Sequence, residues 1–185
     1  MLLKITQAGE PVLRQAARPL TPEEIAGAEI QQLIELMRRT MYDAPGVGLA
    51  APQIGLPLQL AVIADNGDDP VKERRPVPFH VIINPRITLG PDLVEHFEGC
   101  LSVEGLQAMV PRAREVTVEA LDGAGKPVTI QASGWYARIL QHEIDHLHGT
   151  LYVDRMRSRT LSTNRNVALH WAGLSPAEVT ARTRA

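Results

Sequence analysis

Gln141-His142-Glu143-Ile144-Asp145-His146 places two imidazoles four residues apart, with a carboxylate directly after the first. On a helix, positions i and i+4 lie one above the other, so both rings can hold a single metal ion. The glutamate beside them is suited to moving a proton, and the combination points to metal-assisted hydrolysis. The plain alternative is two hydrogen-bonded histidines on a surface helix with a solvated glutamate.

The flanking residues have to supply that helix. Ser133 is a suitable N-cap, Trp135, Tyr136, Ile139, Leu140, Ile144 and Leu147 recur with helical spacing, and Gly149 offers a stop. At roughly 100° per residue, Glu143 falls inside the apolar stripe, and His142 and His146 share one edge of it. A carboxylate there is costly unless its charge is used. Asp145 projects to the opposite face and is given no role.

A catalytic zinc-type centre needs three protein ligands and an open position. Two come from the helix, and Cys100, the single cysteine of the chain, is the obvious third, because a thiolate binds such metals strongly. His80, His96, His148 and His170 remain available, so spacing alone leaves the third ligand open. With one cysteine there is no internal disulfide and no closed Cys2His2 structural site.

The remaining sequence must position these groups. At 185 residues, with 44% apolar and 22% charged residues, residues 1–185 read as one globular domain. A net charge of −2 argues against sequence-specific or general nucleic-acid binding. No apolar run has membrane-spanning length and no secretory leader pattern is visible, so a cytoplasmic protein with no membrane partner is expected.

Val12 to Ala17 reads as a brief helix or turn. Thr21-Pro22-Glu23-Glu24 has the layout of a capping box opening a helix that runs to about Asp43. Gly46 to Gly55 is a loop of small residues in which Gln53 is the polar exception. Leu58 to Ala64, Phe79 to Asn84, Ile87 to Leu89, Leu93 to Phe97, Gln107 to Val110, Glu115 to Leu121 and Val128 to Ala132 are strand candidates. Asp122 to Gly125 is a hairpin signal between the last two. Asp65 to Pro78, with its cluster Lys72, Arg74 and Arg75, reads as a solvated, mobile loop. Leu151 to Met156 reads as a last short strand. The tail from Arg155 carries six arginines against one acid, Glu178, with a helix around Val167 to Gly173. It is either a solvated end or a contact for ribosomal RNA. Without βαβ alternation the class is α+β, mostly antiparallel sheets around a central metal-binding helix, with an N-terminal helix and a C-terminal helical tail.

Three separated stretches, GVGLAAPQIG at 46–55, EGCLS at 98–102 and QHEIDH at 141–146, resemble the three motifs of the peptide deformylases, in that family's order. The resemblance extends from about Ile5 to Met156 and is greatest to type 1 members, including the organellar branch; with no targeting segment visible, a bacterial cytoplasmic enzyme is expected. It implies Cys100, His142 and His146 as metal ligands and Glu143 as catalytic acid and base. It implies Gln53 and the Leu101 N–H as oxyanion donors, and Gly48 lining the formyl pocket. The implied cofactor is Fe2+, one per chain, with Zn2+, Ni2+ or Co2+ able to substitute; ligand chemistry alone would have indicated zinc.

The implied reaction is hydrolysis of the formyl group from N-formyl-Met nascent peptides. An extended peptide beside Gly46, Val47 and Gly48 would pair through main-chain groups. Val47, Leu101, Ile139 and Trp135 are candidates for the methionine pocket, with Arg138 at its rim. Two rivals are a zinc-dependent peptidase using the same HExxH helix, which would take its third ligand downstream, and a non-catalytic binder of peptide N-termini.

Overall fold

A computed structural model describes residues 2–44, 46–70 and 73–184. The N-terminal region forms a 3-10 turn at Pro11–Arg14, helix α1 (Pro22–Ala26) and helix α2 (Ala28–Asp43). The capping box is present: Thr21 accepts from the Glu24 N–H, and the Glu24 carboxylate accepts from the Thr21 N–H. The single helix expected here is broken in two at Gly27, whose extended backbone starts α2 afresh. Glycine is among the poorest helix-interior residues, so a boundary forms there at small cost.

Strands follow: β1 (Gly48–Ala50), β2 (Leu60–Asp65), β3 (Val77–Leu89), β4 (Leu93–Cys100), β5 (Val103–Ala113), β6 (Glu115–Leu121) and β7 (Pro127–Ser133). Helix α3 (Gly134–Leu147) carries the two histidines, and beyond it come β8 (Ser162–Thr163), α4 (Asn164–Asn166), a π turn at Val167–Trp171 and α5 (Pro176–Arg184). One sheet has the order β1-β2-β3-β6-β7, the other β4-β5-β8, and every pairing is antiparallel. The α+β expectation holds. Two expected strands, Phe79 to Asn84 and Ile87 to Leu89, are one long strand interrupted by a bulge between Ile83 and Arg86. The strand expected at Leu151 to Met156 is instead a 3-10 turn at Tyr152–Asp154. Among the described residues no helix is long and apolar enough to cross a membrane.

The larger sheet is apolar on both faces. Along β2, Ala61 and Ile63 pack with Ile82, Val118, Leu140 and Ile144 of α3, whereas Leu60 and Val62 pack with Ile34, Met37 and Met41 of α2. Alternation in one strand thus feeds two cores. Helix α3 is buried on nearly all sides. Gln141 joins it to the smaller sheet: Oε1 accepts from the Ala113 N–H at 2.9 Å, and Nε2 donates to the Ala113 and Ala137 carbonyls, each at 2.9 Å.

Candidate metal centre and its cleft

The register of β4 against β5 breaks between Gly99 and Cys100, and the tight turn that follows aims Cys100 at α3. Its Sγ lies 3.3 Å from His146 Nε2, which lies 3.2 Å from His142 Nε2. All three ligand atoms fall within 4.8 Å of one another. A tetrahedral ion with bonds of about 2.0–2.3 Å sets its ligands about 3.3–3.6 Å apart, so these donors fit one divalent metal. His80, His96, His148 and His170 are not in the cluster.

Burial disfavours charge on both imidazoles. In His146 it prevails, with His142 adding to it, and the pKa falls well below the usual histidine value. In His142 the Cys100 sulfur and the Glu98 carboxylate outweigh burial and raise it. His142 Nδ1 is 2.7 Å from Glu98 Oε1, the arrangement that turns Nε2 toward a metal. His146 Nδ1 is buried with no hydrogen-bond partner among the described residues.

Glu98 is the centre of a buried ion network. Arg112 grips it with Nη2 at 2.6 Å and Nε at 3.1 Å, and Arg138 Nη2 reaches it at 3.3 Å. Burial works against its charge, but His142 and then Arg112 hold its pKa well below the ordinary carboxylate range. Arg112 also donates to Asp145 at 2.6 Å, and Arg155 grips Asp145 at 2.7 and 2.8 Å. Asp145 therefore has a structural role that its position on the helical wheel concealed. The face opposite Glu143 is also buried, because the second sheet and Arg155 cover it.

Glu143 is 3% exposed, and its Oε2 is buried without a hydrogen-bond partner among the described residues. Burial raises its pKa to about 7, where a carboxylate can both take and return a proton. Gly48 of β1 lies directly against it: a Cβ there would stand 2.2 Å from Glu143 Oε1. Gln53 is 1% exposed. Its Oε1 accepts from the Ala50 N–H at 2.9 Å, which turns Nε2 toward Ser102 Oγ at 3.3 Å and Cys100 Sγ at 3.5 Å.

A cavity of about 360 Å³ opens over these groups, lined by Gly46, Val47 and Gly48 on one side, Leu101 on another, and Trp135, Ile139 and His142 from α3. The structure thus brings together Gly46, Val47, Gly48, Gln53, Cys100, Leu101, Trp135, Arg138, Ile139, His142, Glu143 and, in the ligand cluster, His146, and leaves the four other histidines out. Gly46 packs so closely on Leu101 that a Cβ would meet its Cδ1 at 2.8 Å. Arg138 is not at the rim, however. It is 3% exposed, and burial lowers its pKa to about 10 despite Glu98. Sequence reasoning gave no role to Glu98, Ser102, Arg112 or Asp145; Glu98 adjoins the Gly99-Cys100 pair, and a metal-binding histidine calls for a carboxylate on its far nitrogen.

The loop after β2 also differs from expectation. Arg74 is bound to Asp65, which is buried, rather than solvated. Lys72 of the same cluster lies outside the described residues. In the tail, Arg155 is held by Asp145 and Arg157 by Glu95, so less of its charge is presented outward than the sequence suggests.

A family model for polypeptide deformylase matches residues 2–162. Peptide deformylase 1A, chloroplastic, of Solanum lycopersicum is 48% identical over 182 aligned positions, covering 93% of this chain and 66% of that protein's length. Peptide deformylase 3 of Streptomyces avermitilis is 47% identical over 180 positions, covering 94% of this chain and 80% of that protein. The crystal structure of a peptide deformylase from Legionella pneumophila superposes with a TM-score of 0.72 at 40% identity, covering 100% of this chain and 92% of that one. A Met-ala-ser bound class I type b peptide deformylase from Acinetobacter baumannii gives a TM-score of 0.80 at 33% identity, covering 84% and 99%.

Proposed function

We propose, from the premise that the chain belongs to the polypeptide deformylase family and is thereby a hydrolase, that it removes the formyl group from the N-terminal formyl-methionine of new polypeptides, releasing formate. The observation that carries this is Glu143, a buried carboxylate packed on Gly48 beside the convergent Cys100, His142 and His146. A third ligand upstream of the helix speaks against the peptidase alternative.

Cys100, His142 and His146 would hold the metal; we assign Fe2+, with Zn2+, Ni2+ or Co2+ as substitutes. When bound, the ion supplies Lewis acidity and lowers the pKa of water. Glu143 accepts the proton as water adds to the formyl carbon. It returns that proton to the leaving amine as the C–N bond breaks. Negative charge gathers on the former carbonyl oxygen, and Gln53 Nε2 and the Leu101 N–H are its donors; one such donor contributes about 3 kcal/mol. Glu98 keeps His142 in one tautomer and orientation.

Among the described residues strand β1 pairs only with β2 and forms one edge of the larger sheet. A substrate peptide would lie extended along Gly46, Val47 and Gly48, its main chain giving affinity for many sequences. Its methionine side chain would occupy the space bounded by Val47, Leu101, Trp135 and Ile139, with Arg138 beneath. This reading places the protein in a bacterial cytoplasm, where such peptides arise. Contact of the tail with ribosomal RNA would rest on the positive charge of its arginines.

The test is Glu143→Gln. Protein loaded with Fe2+ or Ni2+ should release formate from a formyl-Met peptide. The variant should keep its metal and lose roughly 10³-fold in kcat, the scale of a positioned acid-base group. A variant retaining a tenth of the activity would remove Glu143 from the role.

A further inference from the structure

We propose that Arg74 is a positioning residue for the pocket that receives the first side chain of the substrate, and that it acts through Trp135. The proposal rests on the deformylase reading and concerns a stretch that looks, from its composition, like solvated loop. Arg74 is instead built in. Its Nε and Nη2 donate to Asp65 at 2.7 and 2.6 Å, and Asp65, at the end of β2, is 3% exposed. The Gly67 N–H donates to the same carboxylate at 2.8 Å, and a Cβ on Gly67 would come within 2.1 Å of Arg74 Nε, so that glycine leaves room for the guanidinium. Asp69 and Arg74 exchange main-chain hydrogen bonds at 3.0 and 2.9 Å.

This anchored segment meets α3 at the cavity wall. The Trp135 N–H donates to the Glu73 carbonyl at 3.3 Å, and Glu73 pairs with Arg114. The Arg74 guanidinium lies over the Trp135 ring, 5.4 Å from its centroid, and so does that of Arg138, also at 5.4 Å. Trp135 Nε1 is buried and has no hydrogen-bond partner among the described residues. The indole is thus held in its plane by packing and by the cations over it, with no hydrogen bond of its own to fix it. Since Trp135 and Arg138 both line the cavity, whatever sets the indole sets the shape of that wall. Arginine suits this position because one planar group can grip a carboxylate bidentately and still stack on an aromatic face.

Arg74→Lys separates positioning from simple folding. Lysine preserves a charge for Asp65 but loses the plane that rests on Trp135. The measurement uses a Trp171→Phe background, which leaves Trp135 as the single tryptophan. Arg74→Lys should raise KM for a formyl-Met peptide about fivefold, hold kcat within twofold, and alter Trp135 emission and its quenching by acrylamide. KM for a formyl-Ala peptide should change less than twofold, because a short side chain does not reach the wall. The double change Asp65→Asn with Arg74→Gln, a neutral pair, should repeat the pattern. Wild-type KM with unchanged Trp135 emission in Arg74→Lys would overturn the proposal, as would equal rises in KM for both peptides or a fall confined to kcat. Wild-type protein that releases no formate would sink the deformylase reading instead; unaltered emission sinks this one alone.

Discussion

Replacing Gly48 with alanine tests the site at its tightest point. Gly48 does not use a left-handed backbone, so alanine is not strained there by its own conformation. The whole effect comes from one methyl group facing Glu143. Oε1 would stand 2.2 Å from it, and contacts below 3.0 Å are not tolerated, so the carboxylate must retreat by about 0.8 Å. Displacing a reacting group by about 1 Å costs on the order of 10² in rate, or about 2.7 kcal/mol at 1.36 kcal/mol per decade. Overpacking should add a stability loss of about 1–3 kcal/mol. Formate release should therefore fall about a hundredfold, while metal content stays at one ion per chain because none of the three ligands is touched. Formate assay, metal analysis and denaturant unfolding on one preparation check all three. Gly48→Ala with a third or more of wild-type turnover would refute the reasoning: either the carboxylate does not sit against Gly48, or its position is not what turnover depends on.

Asp145→Asn should destabilise the protein by about 3 kcal/mol in urea unfolding, since it breaks a buried ion pair and leaves Arg112 with Glu98 alone; a loss below 1 kcal/mol would make the pair dispensable. At the N-terminus, hydrogen bonds from Arg18 and then from the Thr21 N–H lower the Glu24 pKa to about 2. A lowered folded-state pKa means that the stabilisation is present above the ordinary value of 4.5 and is lost as pH falls toward 2. Wild-type protein should thus lose more stability between pH 5 and pH 2.5 than Glu24→Gln does, and parallel pH profiles would remove Glu24 from the account.

The metal helix is legible in the sequence because periodicity is a local signal: His142, Glu143 and His146 lie within five positions, and the apolar stripe around them fixes how they face. The place of Cys100 beside the two histidines is legible by chemistry, as the single cysteine of the chain. The ion network is not, because Arg112 reaches Glu98 across 14 positions and Asp145 across 33. Asp145 was misread for a related reason. A wheel has two sides and invites one to be called solvent, whereas α3 lies between structure on both. The segment from Asp65 to Pro78 misled through composition: charges that look solvated become ion pairs once Asp65 is carried inside at the end of a core strand. The break at Gly27 did have a signal, a glycine within an otherwise helical run, which the strong cap at Thr21 overshadowed.

Gln141 offers Ala113 a donor and an acceptor together, as an adjoining strand would, and so imitates a peptide unit from within a helix. Twisting α3 about its axis would rupture both bonds at once and strand polar atoms in a dry interior, so the imidazoles keep a constant bearing. Any movement that opens the cleft must then come from the segments bordering it, while α3 itself stays still.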